Sequence, residues 1–136
     1  GWEKEKLEPV VSLISTISQI KLVSEGESIG YNRSSYAKTN IKIGIVPIGY
    51  ADGLPRTLSN GNGKLWVHGQ PAPIIGDVCM DMCMIDLSTI AAEEGDEVIV
   101  FNGNHSIMEL SKDAGTIPYE ILTRISRRVK RVYFQE

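Results

Sequence analysis

The sequence predicts a mainly β fold, a barrel or a sandwich, with two short helices near the C terminus. Three observations lead there. Strand-length runs of alternating side chains recur along about the first hundred residues, β-branched residues dominate them, and Gly-, Asn- and Asp-rich turns separate them at the spacing such folds use. Beyond His105 the pattern changes to a helical period.

Leu7 to Ser24 alternates throughout and is rich in Val, Ile and Thr, which predicts one long strand. Glu25-Gly26-Glu27 marks a turn before Ile29-Gly30-Tyr31, and Asn32 to Asn40 reads as a polar loop. The central stretch is IKIGIVPIGYADGLPR, Ile41 to Arg56. Its first half alternates as a strand; Asp52-Gly53 and Pro55 are turn chemistry, so Tyr50 is expected at the mouth of a rigid strand. Leu58 to Lys64 is a second loop with two glycines available for positive φ.

Leu65 to His68 reads as a short strand, Gly69-Gln70 as a tight hairpin turn, and Pro71 to Ile75 as the return. Within Gly76 to Leu87, Met82, Met84 and Asp86 alternate with Cys83, Ile85 and Leu87. Ala91 to Asp96 is a polar connection and Glu97 to Phe101 another strand. Ser106 to Gly115 has a helical pattern with a glycine stop, and Thr116 to Ile125 predicts a second helix with Pro118 at its first position. Lys130 to Phe134 returns to strand.

With 136 residues, 42% hydrophobic and 23% charged, the chain fits one globular domain with a core of its own. Fourteen basic against seventeen acidic residues give a net charge of -3, which does not suggest nucleic acid or an anionic membrane as a partner. No apolar run reaches transmembrane length. The opening Gly-Trp-Glu-Lys has no secretory character and no initiator Met, and reads as a cut from a longer polypeptide. Cys79 and Cys83, four apart in an expected strand, would share a face but stand too far apart to bridge; reduced thiols and a cytoplasmic setting follow.

The chemistry legible from residues alone is sparse. Walker, dinucleotide-fingerprint and nucleophile-elbow motifs are absent from the sequence. His68 and His105 stand alone, and two cysteines do not make a zinc site, so no metal is expected. The basic run Arg124, Arg127, Arg128, Lys130, Arg131 follows a helix and reads as a solvated face complementing its dipole. Tyr50 by itself reads first as a packing residue, a ring capping the core.

Three blocks carry a resemblance: GYADGLPR at Gly49 to Arg56, VCMDMCMIDL at Val78 to Leu87, and TIPYEILTRISRRVKRVY at Thr116 to Tyr133. Together and in this order they closely resemble the C-terminal domain of alanine racemases, and the resemblance covers nearly all of residues 1–136. It implies a β-barrel-like C-terminal domain from an isomerase of pyridoxal-phosphate fold-type III. The N-terminal (β/α) barrel that holds most of the cofactor would lie outside this sequence. The resemblance further implies a head-to-tail homodimer, in which this domain closes the active site of the partner subunit, and interconversion of L- and D-alanine for bacterial peptidoglycan and the cell wall.

Residue by residue, it matches Tyr50 to the catalytic tyrosine that moves the Cα proton, Met80 to a backbone N–H donor for the substrate carboxylate, and Tyr119 to a hydroxyl on the cofactor phosphate. Asp52 and Arg56 are expected to hold the loop and Asp81 to shape the entrance. A two-base racemisation agrees with a phenol in this role, provided cationic neighbours favour its ionised form, because an ordinary phenol has a pKa of about 10. Those neighbours would come mainly from the barrel, so the isolated domain is expected to be inactive. Around Tyr31 the sequence departs from the family, which usually has Tyr-Gly and a Thr-rich continuation where Tyr31-Asn32-Arg33-Ser34-Ser35 stands here. Two other readings fit parts of the sequence: a related amino-acid racemase or decarboxylase, and a stand-alone β-barrel module whose basic tail grips RNA or protein.

Overall fold

A computed structural model describes residues 12–29, 35–126 and 129. Within them nine strands run in chain order: β1 (Leu13–Thr16), β2 (Gln19–Val23), β3 (Ser28–Ile29), β4 (Ser35–Tyr36), β5 (Ile41–Val46), β6 (Lys64–Val67), β7 (Gln70–Ile75), β8 (Cys83–Asp86) and β9 (Glu97–Phe101). Two 3₁₀ turns, Tyr50–Asp52 and Arg56–Leu58, follow β5, and the helices α1 (Ile107–Ala114) and α2 (Pro118–Arg124) come last.

Seven strands form one antiparallel sheet in the order β1-β9-β6-β7-β8-β5-β2. Its edge strands, β1 and β2, are separated in sequence by only Ile17 and Ser18. The sheet therefore curls until its edges meet at that link, which is the barrel-like form rather than the sandwich. The hydrogen bonds show how: Ile17 N–H donates to Asp96 O (2.9 Å) on the β9 side, and Ser18 N–H donates to Ile45 O (2.8 Å) on the β5 side.

This corrects the single long strand expected over Leu7 to Ser24, of which residues 7–11 lie outside the described part. Leu13 and Ile17 are buried in the core and Ile20 packs against it, whereas Leu22, on the same face of β2 as Ile20, is 82% exposed. Alternation records that side chains switch faces; it does not record that the hydrogen-bonding partner changes midway.

Three turns also differ from expectation. Part of the loop Asn32 to Asn40 is β4, which pairs with β3 as a small ribbon. Ile29 and Ala37, on and beside this ribbon, pack on Ile43 and Met84 outside the main core. The β6–β7 hairpin turns at His68-Gly69, one residue early, with φ of 51° and 74°. Two successive positive φ values make the twisted two-residue turn that suits a hairpin. Of the two loop glycines, Gly61 has positive φ (85°), whereas Gly63 is there for space: a Cβ on it would stand 2.5 Å from Leu58 Cδ2.

Within β8, Cys83 and Ile85 enter the main core while Met84 faces the ribbon. Cys79 lies in the preceding loop, not in the strand, with its N–H donating to Met82 O (2.9 Å). Fully buried Leu58, Leu65 and Leu87 anchor the interior, each contributing about 1.5–3 kcal/mol by leaving water.

The helices form where their caps place them. Ser106 Oγ accepts Met108 N–H (3.0 Å) at the start of α1, and Gly115 ends it with φ 72°. Ile117 precedes α2 and Pro118 opens it. Thr57 Oγ1 donates to Ala114 O (2.7 Å), tying the second 3₁₀ turn to α1. The expected C-terminal strand Lys130 to Phe134, and Arg127, Arg128, Lys130 and Arg131 of the basic run, lie outside the described residues. Among the described residues no helix is long and apolar enough to cross a membrane.

Candidate active site

The site is built on the end of β5. Pro47 has no N–H for the ladder, so pairing stops, and Ile48 is buried behind it. The chain then enters the tight turn Tyr50–Asp52. Asp52, only 7% exposed, closes the turn by accepting Gly49 N–H on Oδ2 (2.9 Å). Gly53 leaves it at φ 111°, its N–H donating to Tyr50 O (3.1 Å). That conformation requires glycine.

Two distant stretches clasp this turn. Tyr50 N–H donates to Cys79 O (2.9 Å) and Ala51 N–H to Met80 O (2.8 Å). On another side Ser126 N–H donates to Asp52 O (3.0 Å) just past α2. The approach is close at both seats: a Cβ on Gly49 would fall 2.2 Å from Cys79 O, and one on Gly53 would fall 2.5 Å from Arg124 O. Backbone groups therefore join segments far apart in the chain with little freedom to shift.

The side chains of this turn reach outward. Tyr50 is 41% exposed, and the Arg56 guanidinium carbon lies 5.2 Å from its ring centre. A guanidinium at that range is held by the negative face of the ring, and it restrains the ring in return. Arg56 also lines an open polar cleft of about 420 Å³ with Thr57, Ser59, Asn60 and Asp77. Met80 and its neighbour Asp81 are exposed. Tyr119 is exposed in the first turn of α2, whereas the Tyr50 turn meets the last turn of that helix. The structure thus unites Tyr50, Asp52, Arg56 and Met80, and sets Tyr119 apart along α2.

The first turn of α2 already holds a carboxylate, since Glu120 accepts a hydrogen bond from the Thr116 hydroxyl. Burial first, then the charges of Asp77 and Asp81, hold the Cys79 thiol above its ordinary range. Burial pushes Cys83 up to about 12, with Cys79 adding to it. His105 stacks on Trp66 with ring centres 3.9 Å apart, and His68 Nε2 pairs with Asp96 Oδ2 at 2.8 Å.

Sequence reasoning missed Gly49 and Cys79, whose backbones carry the clasp. Gly49 has φ of −143°, open to any residue, so no local signal marks it; its need for glycine comes from a peptide far along the chain. The sequence predicts Arg56 as a loop-holding residue, and its contact with the Tyr50 ring cannot be read from spacing.

Residues 10–133 match the family model described as "Alanine racemase, C-terminal domain". The chain belongs to the alanine racemase C-terminal domain family. The chain is 40% identical over 131 residues to an alanine racemase of Aquifex pyrophilus, covering 96% of this chain and 38% of that protein. It is 43% identical over 131 residues to that of Helicobacter pylori J99, covering 93% of this chain and 34% of the relative. The crystal structure of an alanine racemase from Bartonella henselae with covalently bound pyridoxal phosphate superposes with a TM-score of 0.88 at 33% identity, over 94% of this chain and 36% of that one. The chain thus spans little more than a third of these proteins.

Proposed function

We propose that this domain completes the active site of a pyridoxal-phosphate-dependent alanine racemase, which interconverts L- and D-alanine in the cytoplasm for peptidoglycan synthesis. The observation that supports the reading most is the convergence on one turn of the three stretches that resemble the family. Tyr50 and Ala51 bond to Cys79 and Met80, and Asp52 bonds to Ser126. Residues 1–136 are the C-terminal β-domain in this reading. A barrel elsewhere in the polypeptide binds most of the cofactor, and in a head-to-tail homodimer each β-domain closes the site of the other subunit.

Tyr50 is the acid/base candidate among the described residues: a phenol on a rigid turn, its ring restrained by Arg56, takes or returns the Cα proton of alanine. Met80 N–H meets the substrate carboxylate, a preorganised donor aimed at an anion. Asp81 shapes the rim beside it. When bound, pyridoxal phosphate supplies the electron sink for Cα deprotonation. A phosphate fits the exposed Tyr119, but α2 adds little, because the negative charge of Glu120 in its first turn opposes a second anion there. Among the described residues this reading gives the cofactor one hydroxyl and leaves the rest to the barrel, so the isolated domain is expected to be inactive; stoichiometric cofactor uptake by it would overturn that part.

The test is racemisation of alanine by the parent polypeptide, comparing wild type, Tyr50→Phe and Tyr31→Phe. Tyr31 lies outside the described residues, where the sequence departs from the family pattern, and is the second phenol to compare. Loss of most turnover in Tyr50→Phe, with cofactor retained, supports Tyr50 as the base. If Tyr31→Phe abolishes turnover and Tyr50→Phe chiefly raises KM, the base is Tyr31 and Tyr50 is a wall of the site. A parent that racemises another amino acid and not alanine overturns the substrate.

A further inference from the structure

We propose that Gly49 and the backbone N–H of Tyr50 set the orientation of the Cys79–Met80 peptide, and through it the direction in which Met80 N–H points. The inference rests on the reading above that this N–H receives the substrate carboxylate. Gly49 is then a positioning residue, and Tyr50 contributes by its backbone as well as its ring.

The geometry follows from one peptide group. Cys79 C=O and Met80 N–H belong to the same planar unit, and in a trans peptide they point in opposite directions. Tyr50 N–H holds the oxygen end at 2.9 Å, so the N–H end faces away from the Tyr50 amide. Among the described residues no acceptor takes the Met80 N–H. Rotation of the unit is blocked on both sides: Ala51 N–H holds Met80 O at 2.8 Å, and Cys79 N–H holds Met82 O at 2.9 Å. A donor on the carbonyl also polarises the amide, which strengthens the hydrogen bond its N–H can give.

Gly49 permits this seat. A Cβ there would stand 2.2 Å from Cys79 O and 2.5 Å from Met80 O, both backbone atoms with no side-chain rotamer to yield. Its φ of −143° suits any residue, so glycine serves proximity alone.

The experiment uses the full-length enzyme with its cofactor and reads inhibition by propionate, which has the carboxylate and methyl-bearing carbon of alanine but no amino group through which to react. Replacing Tyr50 by its α-hydroxy acid removes the N–H and keeps the ring; the same replacement at Met80 removes the proposed donor. Each ester is expected to weaken propionate by about threefold to tenfold, as loss of a hydrogen bond does. Tyr50→Phe, which keeps the N–H, gives the effect of losing the hydroxyl alone, and the Tyr50 ester is read against it. Gly49→Ala should raise the KM for alanine and weaken propionate together. If the Met80 ester weakens propionate and the Tyr50 ester does not, the orienting role is overturned while the carboxylate reading stands. If the Met80 ester has no effect, the carboxylate reading itself falls. A Gly49→Ala enzyme with wild-type propionate affinity overturns the part given to Gly49, and if that variant does not fold the two esters decide.

Discussion

The Arg56 guanidinium sits over the Tyr50 ring, 5.2 Å from its centre, and the residues between them form a turn that cannot easily relax. The pair joins the exposed phenol to a cation fixed in the same loop. An exposed contact of this kind is worth about 0.5–1 kcal/mol. If it orients the ring for function, Arg56→Ala in the full-length enzyme lowers kcat about twofold to fivefold. Arg56→Lys should recover part of the loss, and thermal stability should barely change. Steady-state kinetics on the two variants checks this; equal kcat in all three enzymes would leave Arg56 a surface residue.

Gly53 carries a heavier structural burden. Its φ of 111° opposes any side chain, and so does space, because a Cβ there would lie 2.5 Å from Arg124 O. Gly53→Ala should destabilise the domain by about 2 kcal/mol or more. Urea unfolding of the domain would show it as a lower midpoint with unchanged slope.

The alkaline limb of the stability curve should carry a signature of Cys83. In the unfolded chain a thiol ionises at about 8.5, and in the fold burial raises Cys83 to about 12. The folded state therefore holds a proton that the unfolded state gives up. Stability begins to fall as pH rises through the unfolded value, and the loss grows until the folded one is reached. Cys83→Ala should flatten the decline in unfolding free energy above about pH 9, measured by urea titration at stepped pH.

Cys79 should be the faster thiol to alkylate in the native protein, since it is half-buried while Cys83 is buried. The Asp81 charge is among the causes that raise its pKa, so Asp81→Asn should speed labelling at about pH 8. Mass spectrometry after timed iodoacetamide exposure reads both sites. Faster labelling of Cys83 than Cys79 would contradict the burial order.

At the acid end, Asp96 is the group to follow. The Glu93 N–H first, and then His68, hold its carboxyl below the ordinary range. Its contribution is present above the unfolded carboxylate pKa and is lost as pH falls through the lower folded value. Asp96→Asn should remove that part of the acid-limb slope, seen in thermal unfolding between about pH 5 and pH 2.

By itself the sequence determined the β-rich class, the stops and starts of α1 and α2, the strand leading to Tyr50, and the family. Each of these is written locally: period-two alternation, the helical pattern from Ser106 to its glycine stop at Gly115, Pro118 at a first helical position, and three ordered blocks. Tertiary structure alone decided the rest. The strand expected across Leu7 to Ser24 breaks at Ile17-Ser18 because these two successive amides bond on the β9 side and on the β5 side, toward opposite ends of the strand order in a curled sheet. Gly49 must be glycine because of Cys79 and Met80, not because of its own torsion. Arg56 meets Tyr50 because two tight turns fold the chain back on itself. Local pattern encodes which face a residue shows and where an element ends; the partner it meets depends on closure of the sheet, which brings together residues that no short window contains.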